Sequence, residues 1–339
     1  MSDSVLYFPS IRVPQTEWFT RVLLYWDSVG TIVPQEYLDD ATFLRPYTAR
    51  LRDLGLLKAV PPDEAIWHVP HYYDGFLRLV DSIHPDMRDA PLAGRETVRI
   101  HVDKTGFGLA VELERRGLAA AYTSGREWDA WFDVEKHTAD LLMAYLATIL
   151  GQAERMDPIT DSVACLEAFT RIPEGGGAVQ ARLDPIRTEI LNDLLPAPAD
   201  PVSPDQLAQF KGRHRDLLTG FRIAVEQRVF ATAAIEDPTL RARSIGLVKH
   251  DLKGQLEEIT RRMHENKWQR VGFGTLLAVV AAGVVAADAV TTGGTLTIAG
   301  ASLGLTSAVY TAFKGARTPC DLLTRPMAYA ALAHHRLGA

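Results

Sequence analysis

Asp157-Pro158-Ile159-Thr160-Asp161-Ser162 is the most chemically loaded stretch of the chain, with two carboxylates and two hydroxyls close together. Carboxylates four positions apart can share a cation or divide into an acid and a base. The same residues also have a purely structural reading. Asp-Pro ends one helix, and Asp161 or Ser162 caps the next, which runs on through Val163, Leu166 and Phe169. Gly175-Gly176-Gly177 lacks the Lys-Ser/Thr that completes a phosphate loop and reads as a turn. The ten histidines include no HExxH; His68 and His71 flank Val69-Pro70, and His334-His335 lie where a frayed end is expected. Cys165 falls on the apolar side of a helix, where a core thiol is the ordinary outcome. Cys165 and Cys320 are the only cysteines, which points to a reducing cytoplasm rather than a disulfide framework. None of these patterns amounts to a catalytic motif. No catalytic residue, metal or cofactor is therefore expected, and the balance leans away from an enzyme.

A different kind of chemistry is written near the C-terminus. Between Val271 and Phe313 there is no Lys, Arg, Glu or His, and the one charge is Asp288. Thr291-Thr292-Gly293-Gly294 divides the stretch into two apolar arms, each near the ~20 residues that a bilayer core asks of a helix. Gly272, Gly274 and Gly283 in one arm and Gly300 and Gly304 in the other would let two helices approach closely in lipid. Lys267 and Arg270 before the stretch, and Lys314 and Arg317 after it, would sit at the cytoplasmic membrane surface. A buried hairpin in a soluble fold, tightly packed through the same small residues, is the competing reading.

The elements that must carry these features are mainly helical. Prolines after Val5-Leu6-Tyr7-Phe8 and Ile11-Arg12-Val13 suit short extended pieces. Thr16 caps a helix through Trp26 that Gly30 and Pro34 end. The helix over Phe43–Leu54, Gly55 and two short strands together look like half of a winged helix; its Arg45, Arg50, Arg52 and Lys58 are offset by Asp39, Asp40, Asp53, Asp63 and Glu64, so nucleic acid is not expected as a partner. Helices are expected at 72–83, 107–117 and 133–155, with a strand over Val98–Val102 whose polar side faces out. After the Pro-rich run 195–201, Ser203-Pro204-Asp205-Gln206 signals a helix start. One long helix then carries Leu207 to Val229. A second, about 240–268, carries Leu247, Val248, Leu252, Leu256, Ile259 and Met263 on one face, and the two pack as a hairpin.

The resulting division is a mixed α/β body at 1–195, an amphipathic helical hairpin at 196–270, the Gly/Ala-rich apolar hairpin at 271–313 and a tail at 314–339. Acids outnumber bases over residues 1–202, and the reverse holds over 203–270, which suits a surface facing anionic lipid head groups.

Leu6-Tyr7-Phe8-Pro9-x-Ile11-x-Val13-Pro14, followed by Leu23-Leu24-Tyr25-Trp26-Asp27-x-Val29-x-Thr31-Ile32-Val33-Pro34, resembles an uncharacterised bacterial family, a domain of unknown function. Met143-Ala144-Tyr145-Leu146-Ala147 and Pro158-Ile159-Thr160-Asp161 are similar to that family's middle motif. The resemblance implies no activity, substrate or site residue. The expectation from the sequence is a non-enzymatic, membrane-acting bacterial effector of the toxin or antiviral-defence kind. It would be cytoplasmic with inner-membrane association, would assemble as a homo-oligomer on a trigger or protein partner, and would place the hairpin in the lipid bilayer as a pore. The alternative is a soluble scaffold or regulatory protein with the hairpin buried at an oligomer or partner interface.

Overall fold

A computed structural model of the chain describes residues 3–34, 37, 45–62, 66, 69, 72–83, 92, 94–121, 131–172, 177–198, 202–265 and 325–338. The described elements run β1 (Ser4–Tyr7), α1 (Glu17–Tyr25), β2 (Ser28–Ile32), α2 (Pro46–Asp53), β3 (Leu57–Val60) and α3 (Tyr72–Ile83). Then come β4 (Thr97–His101), α4 (Val102–Thr105), α5 (Phe107–Arg115), β5 (Ala119–Ala121), β6 (Trp131–Glu135), α6 (Lys136–Glu154), β7 (Asp157–Ile159) and α7 (Val163–Thr170). The last are α8 (Gly177–Leu194), α9 (Pro204–Arg213), α10 (Arg215–Ala233), α11 (Pro238–Glu265) and α12 (Ala328–Leu337). The chain is mostly helical, with a small mixed α/β body at its N-terminal side.

At the centre of that body is a four-stranded sheet in the order β3-β2-β1-β7, with every pair parallel. Successive residues of a strand point to opposite faces, and here both faces are buried. Val5 and Tyr7 join α1, α8, α10, α11 and α12 in one core, whereas Leu6 and Phe8 join α3, α5, α6 and α7 in another. A strand buried on both sides reads as an unbroken apolar run, and Val5-Leu6-Tyr7-Phe8 is one. β2 requires Gly30, because a Cβ there would lie 2.7 Å from the Met156 sulfur and 3.1 Å from Leu6. That residue is an inner-strand contact and not the helix stop expected of it. α1 ends earlier, at Tyr25, after the Thr16 hydroxyl has capped it through the Phe19 amide.

The helix–glycine–strand at 46–60 is not half of a winged helix: β3 pairs in parallel with β2 and closes a β-α-β unit. The winged-helix order occurs further along, as α3-β4-α4-α5-β5-β6 with an antiparallel sheet in the order β4-β6-β5. Gly106 makes the turn between α4 and α5 at φ +71°, with the Tyr73 hydroxyl occupying the space a Cβ would need.

The expected helix start at Ser203 holds, with a capping box between Ser203 and Gln206. The long helix after it is broken at His214 into α9 and α10. α11 buries Leu252, Leu256, Ile259 and Met263, but Leu247 faces outward at 68% exposure. α12 is not a frayed end. Tyr329 is fully buried, stacks on Phe221 with ring centroids 5.6 Å apart and donates its hydroxyl to the Leu24 carbonyl at 2.7 Å.

Among the described residues no helix is long and apolar enough to cross a membrane. This corrects the expectation of a transmembrane, pore-forming protein. α11 has the length, but charged residues recur along it, and the apolar side of α6 is taken up by the sheet and α7. The stretch 271–313 lies outside the described residues, and so do Gly272, Gly274, Gly283, Asp288, Gly300, Gly304, Lys267, Arg270, Lys314 and Arg317.

Candidate functional site

The chain builds β1, β2 and β3 outward in one direction and then returns to place β7 on the other side of β1. The helix following β1 packs on one face of the sheet, and the helix following β7 packs on the other. Loops that leave two neighbouring parallel strands for opposite faces open a crevice at the strands' carboxyl ends, the usual ligand position in open α/β sheets. A cavity of about 460 Å³ lies there. Ser10, Ile11 and Arg12 after β1 and Ser162 after β7 line it, with Lys136, Asp140 and Met143 of α6 along its side. The winged-helix unit supplies the rest of the wall, through Arg99 and His101 of β4, Lys104 of α4 and Trp131 of β6.

Among the described residues of the lining there are four cations, Arg12, Arg99, Lys104 and Lys136, and one carboxylate, Asp140. Lys136 pairs with Asp140 one turn along α6, and Asp140 also accepts from the Cys165 thiol at 3.4 Å. Arg99 stands 4.0 Å from Asp133 and is half exposed. Lys104 differs from both. It is 4% exposed, and among the described residues its ammonium has no ion-pair or hydrogen-bond partner; only its backbone carbonyl is engaged, by the Tyr72 hydroxyl. Desolvation alone lowers its pKa to about 7. His101 is buried beside it, its Nδ1 accepting the Asp103 amide at 3.2 Å and its ring edge-on to Trp131 at 5.0 Å. The nearby helix N-termini already carry side-chain caps. Glu135 accepts the His137 and Thr138 amides at the start of α6, and Ser162 accepts the Cys165 amide at the start of α7. Positive charge in the cavity therefore comes from side chains.

The Asp157–Ser162 loop is at this crevice, but its two carboxylates do not act together. Asp157 lies in β7 on the face of Ile159, and burial raises its pKa against the pull of Arg187. Asp161 accepts the Tyr7 hydroxyl at 3.2 Å, and Ser162 takes the capping role. Cys165 is fully buried, and burial pushes its thiol up to about 12, so it is a core residue. Arg50 pairs with Asp205, Arg52 with Asp53 and Lys58 with Glu154, so three of the four cations considered for nucleic acid have an acid beside them. His334 bonds the Leu194 carbonyl at 3.1 Å. Among the described residues no group of three or more His, Cys, Asp or Glu side chains is placed to hold a metal ion.

The cations that line the cavity were missed by the reading of the sequence, although Ser162 was not. Arg12, Arg99, Lys104 and Lys136 are far apart in the chain, and each looks like a solvated charge. The one local signal is position, since Arg12 and Ser162 follow strands at their carboxyl ends. No family model matches the chain, and no curated protein or solved structure matches it.

Proposed function

We propose that the protein binds a small anionic ligand, of the phosphate- or carboxylate-bearing kind, in the cavity between β1 and β7. The observation that carries this reading is Lys104, a buried ammonium with no acid beside it, on the wall of a cavity already rich in cations. Burying an unpaired charge is costly unless a counter-charge arrives, and a bound anion would supply it. A ligand that binds only the folded chain raises its melting temperature in a concentration-dependent way. Thermal shift with inorganic phosphate and pyrophosphate should therefore stabilise the wild type, with a smaller response in Arg99→Ala and Lys136→Gln. No response to either anion would remove the proposal.

A second reading, a surface for a partner protein or a second copy of the chain, is supported by two pairs of exposed apolar residues. Ile223 and Phe230 on α10 are seven apart, as are Leu240 and Leu247 on α11, so each pair shares a helix face. Sedimentation of Phe230→Asp and Leu247→Asp against the wild type tests it; identical mass at all concentrations would dismiss it. The membrane-acting reading draws no support from the described residues.

A further inference from the structure

Three other buried basic side chains have their acceptors in place. Lys211 donates to the Trp26 and Asp27 carbonyls, Arg187 meets Glu226 and Asp184, and Arg222 meets Asp3, Asp27 and the Tyr25 carbonyl. Lys104 has no such arrangement and opens on a cavity. An amine desolvated without an acid beside it gives up its proton more easily, and a neutral amine has a lone pair. Lysines activated in this way attack carbonyl groups.

We infer that Lys104 condenses with the carbonyl group of an anionic aldehyde or 2-oxo acid, while Arg12, Arg99 and Lys136 hold the ligand's acidic group. This rests on the anion-binding reading and adds the chemical class of the ligand. The Lys104 Nζ lone pair forms a bond to the carbonyl carbon as the C=O π pair moves to oxygen. A proton passes from nitrogen to that oxygen, giving a carbinolamine. A second proton reaches the oxygen, it leaves as water, and C=N forms. No oxidant or reductant is needed. Both proton transfers pass through solvent water, which reaches Lys104 from the cavity. An amine titrating at about 7 keeps a usable neutral fraction at physiological pH.

The test is reductive trapping. The full chain is incubated with glyoxylate near neutral pH, treated with borohydride and mapped by mass spectrometry. The expected result is a carboxymethyl adduct on Lys104 at roughly tenfold the level on the exposed Lys58, competed away by inorganic phosphate and weaker with uncharged acetaldehyde. Lys104→Met should remove that adduct and leave the background on other lysines unchanged. Labelling of Lys104 no stronger than that of Lys58 overturns the inference. If phosphate still stabilises the protein in that case, the inference fails alone; if phosphate does not, the anion-binding reading fails with it. The adduct map is read on the wild type, so it stands whether or not the variant folds.

Discussion

Lys104 and Lys211 are both buried, and burial lowers both to about 7. Lys211, on α9, reaches across to the end of α1 and donates to the Trp26 and Asp27 carbonyls, the latter at 2.9 Å. It belongs to a polar seam between the sheet body and the C-terminal helices. In that seam Arg187 meets Glu226 at 2.6 Å, and Glu226 accepts the Tyr25 hydroxyl at 2.8 Å. Arg187 and Arg222 also lie over the Trp26 ring, at 5.3 and 5.5 Å from its centroid. Every donor there has a matching acceptor, so the seam fixes how α8 and α10 sit on α1. Lys104 has the same burial and no such acceptor, and its wall is open. Burial of charge alone therefore does not mark a functional group in this protein. Burial beside a cavity, without a partner, does.

The greatest loss of stability is expected in the seam. Glu226→Ala leaves Arg187 buried without its main partner and takes the acceptor from Tyr25. A loss of roughly 3–5 kcal/mol in urea unfolding is expected, and a loss below about 1 kcal/mol would mean the seam is not holding the helices. Next in size is the contrast between the two lysines. Lys211→Met strands two carbonyls and should cost about 1–3 kcal/mol, whereas Lys104→Met should leave stability unchanged or raised. Equal losses from the two changes would erase the distinction.

Stability also depends on pH through Lys104. Lys104 titrates at about 7 when folded against 10.5 for the free side chain. Between these values the unfolded chain binds the proton and the folded chain does not, so folding gains stability as pH rises. The melting-temperature advantage of Lys104→Met should therefore be full below pH 7 and should shrink as pH climbs from about 7 to about 10.5. A difference that does not change with pH would show that Lys104 is not desolvated as described. The smallest effect belongs to Lys58→Ala, which removes an exposed pair with Glu154 and should change stability by about 0–1 kcal/mol while leaving phosphate binding intact.

Signals that act over one turn were legible in the chain. Thr16 and Ser203 cap helices as their neighbours require, Tyr72–Ile83 is a helix with the bounds its pattern suggests, and Cys165 is a core thiol. Of the four parallel strands, β1 and β3 were legible as short extended pieces, but β2 and β7 were not. β2 carries a glycine and β7 is three residues with Pro158 inside it, a placement that an edge strand tolerates. With β2 unseen, the helix–glycine–strand at 46–60 had no parallel partner and resembled a wing. The winged-helix order was harder to see because β4 pairs with β6 and not with the next strand, β5, which is only Ala119–Ala121.

The mainly helical character, the caps and most of the apolar stripes could be read along the chain, since each depends on residues within a few positions of one another. Only the tertiary structure decided where the cavity lies and which charges meet in it. Arg12, Arg99, Lys104 and Lys136 come from four separate segments, and a lysine in Asp103-Lys104-Thr105-Gly106 looks solvated until the fold closes over it. Desolvation belongs to the packed chain, because it depends on what surrounds a side chain in space.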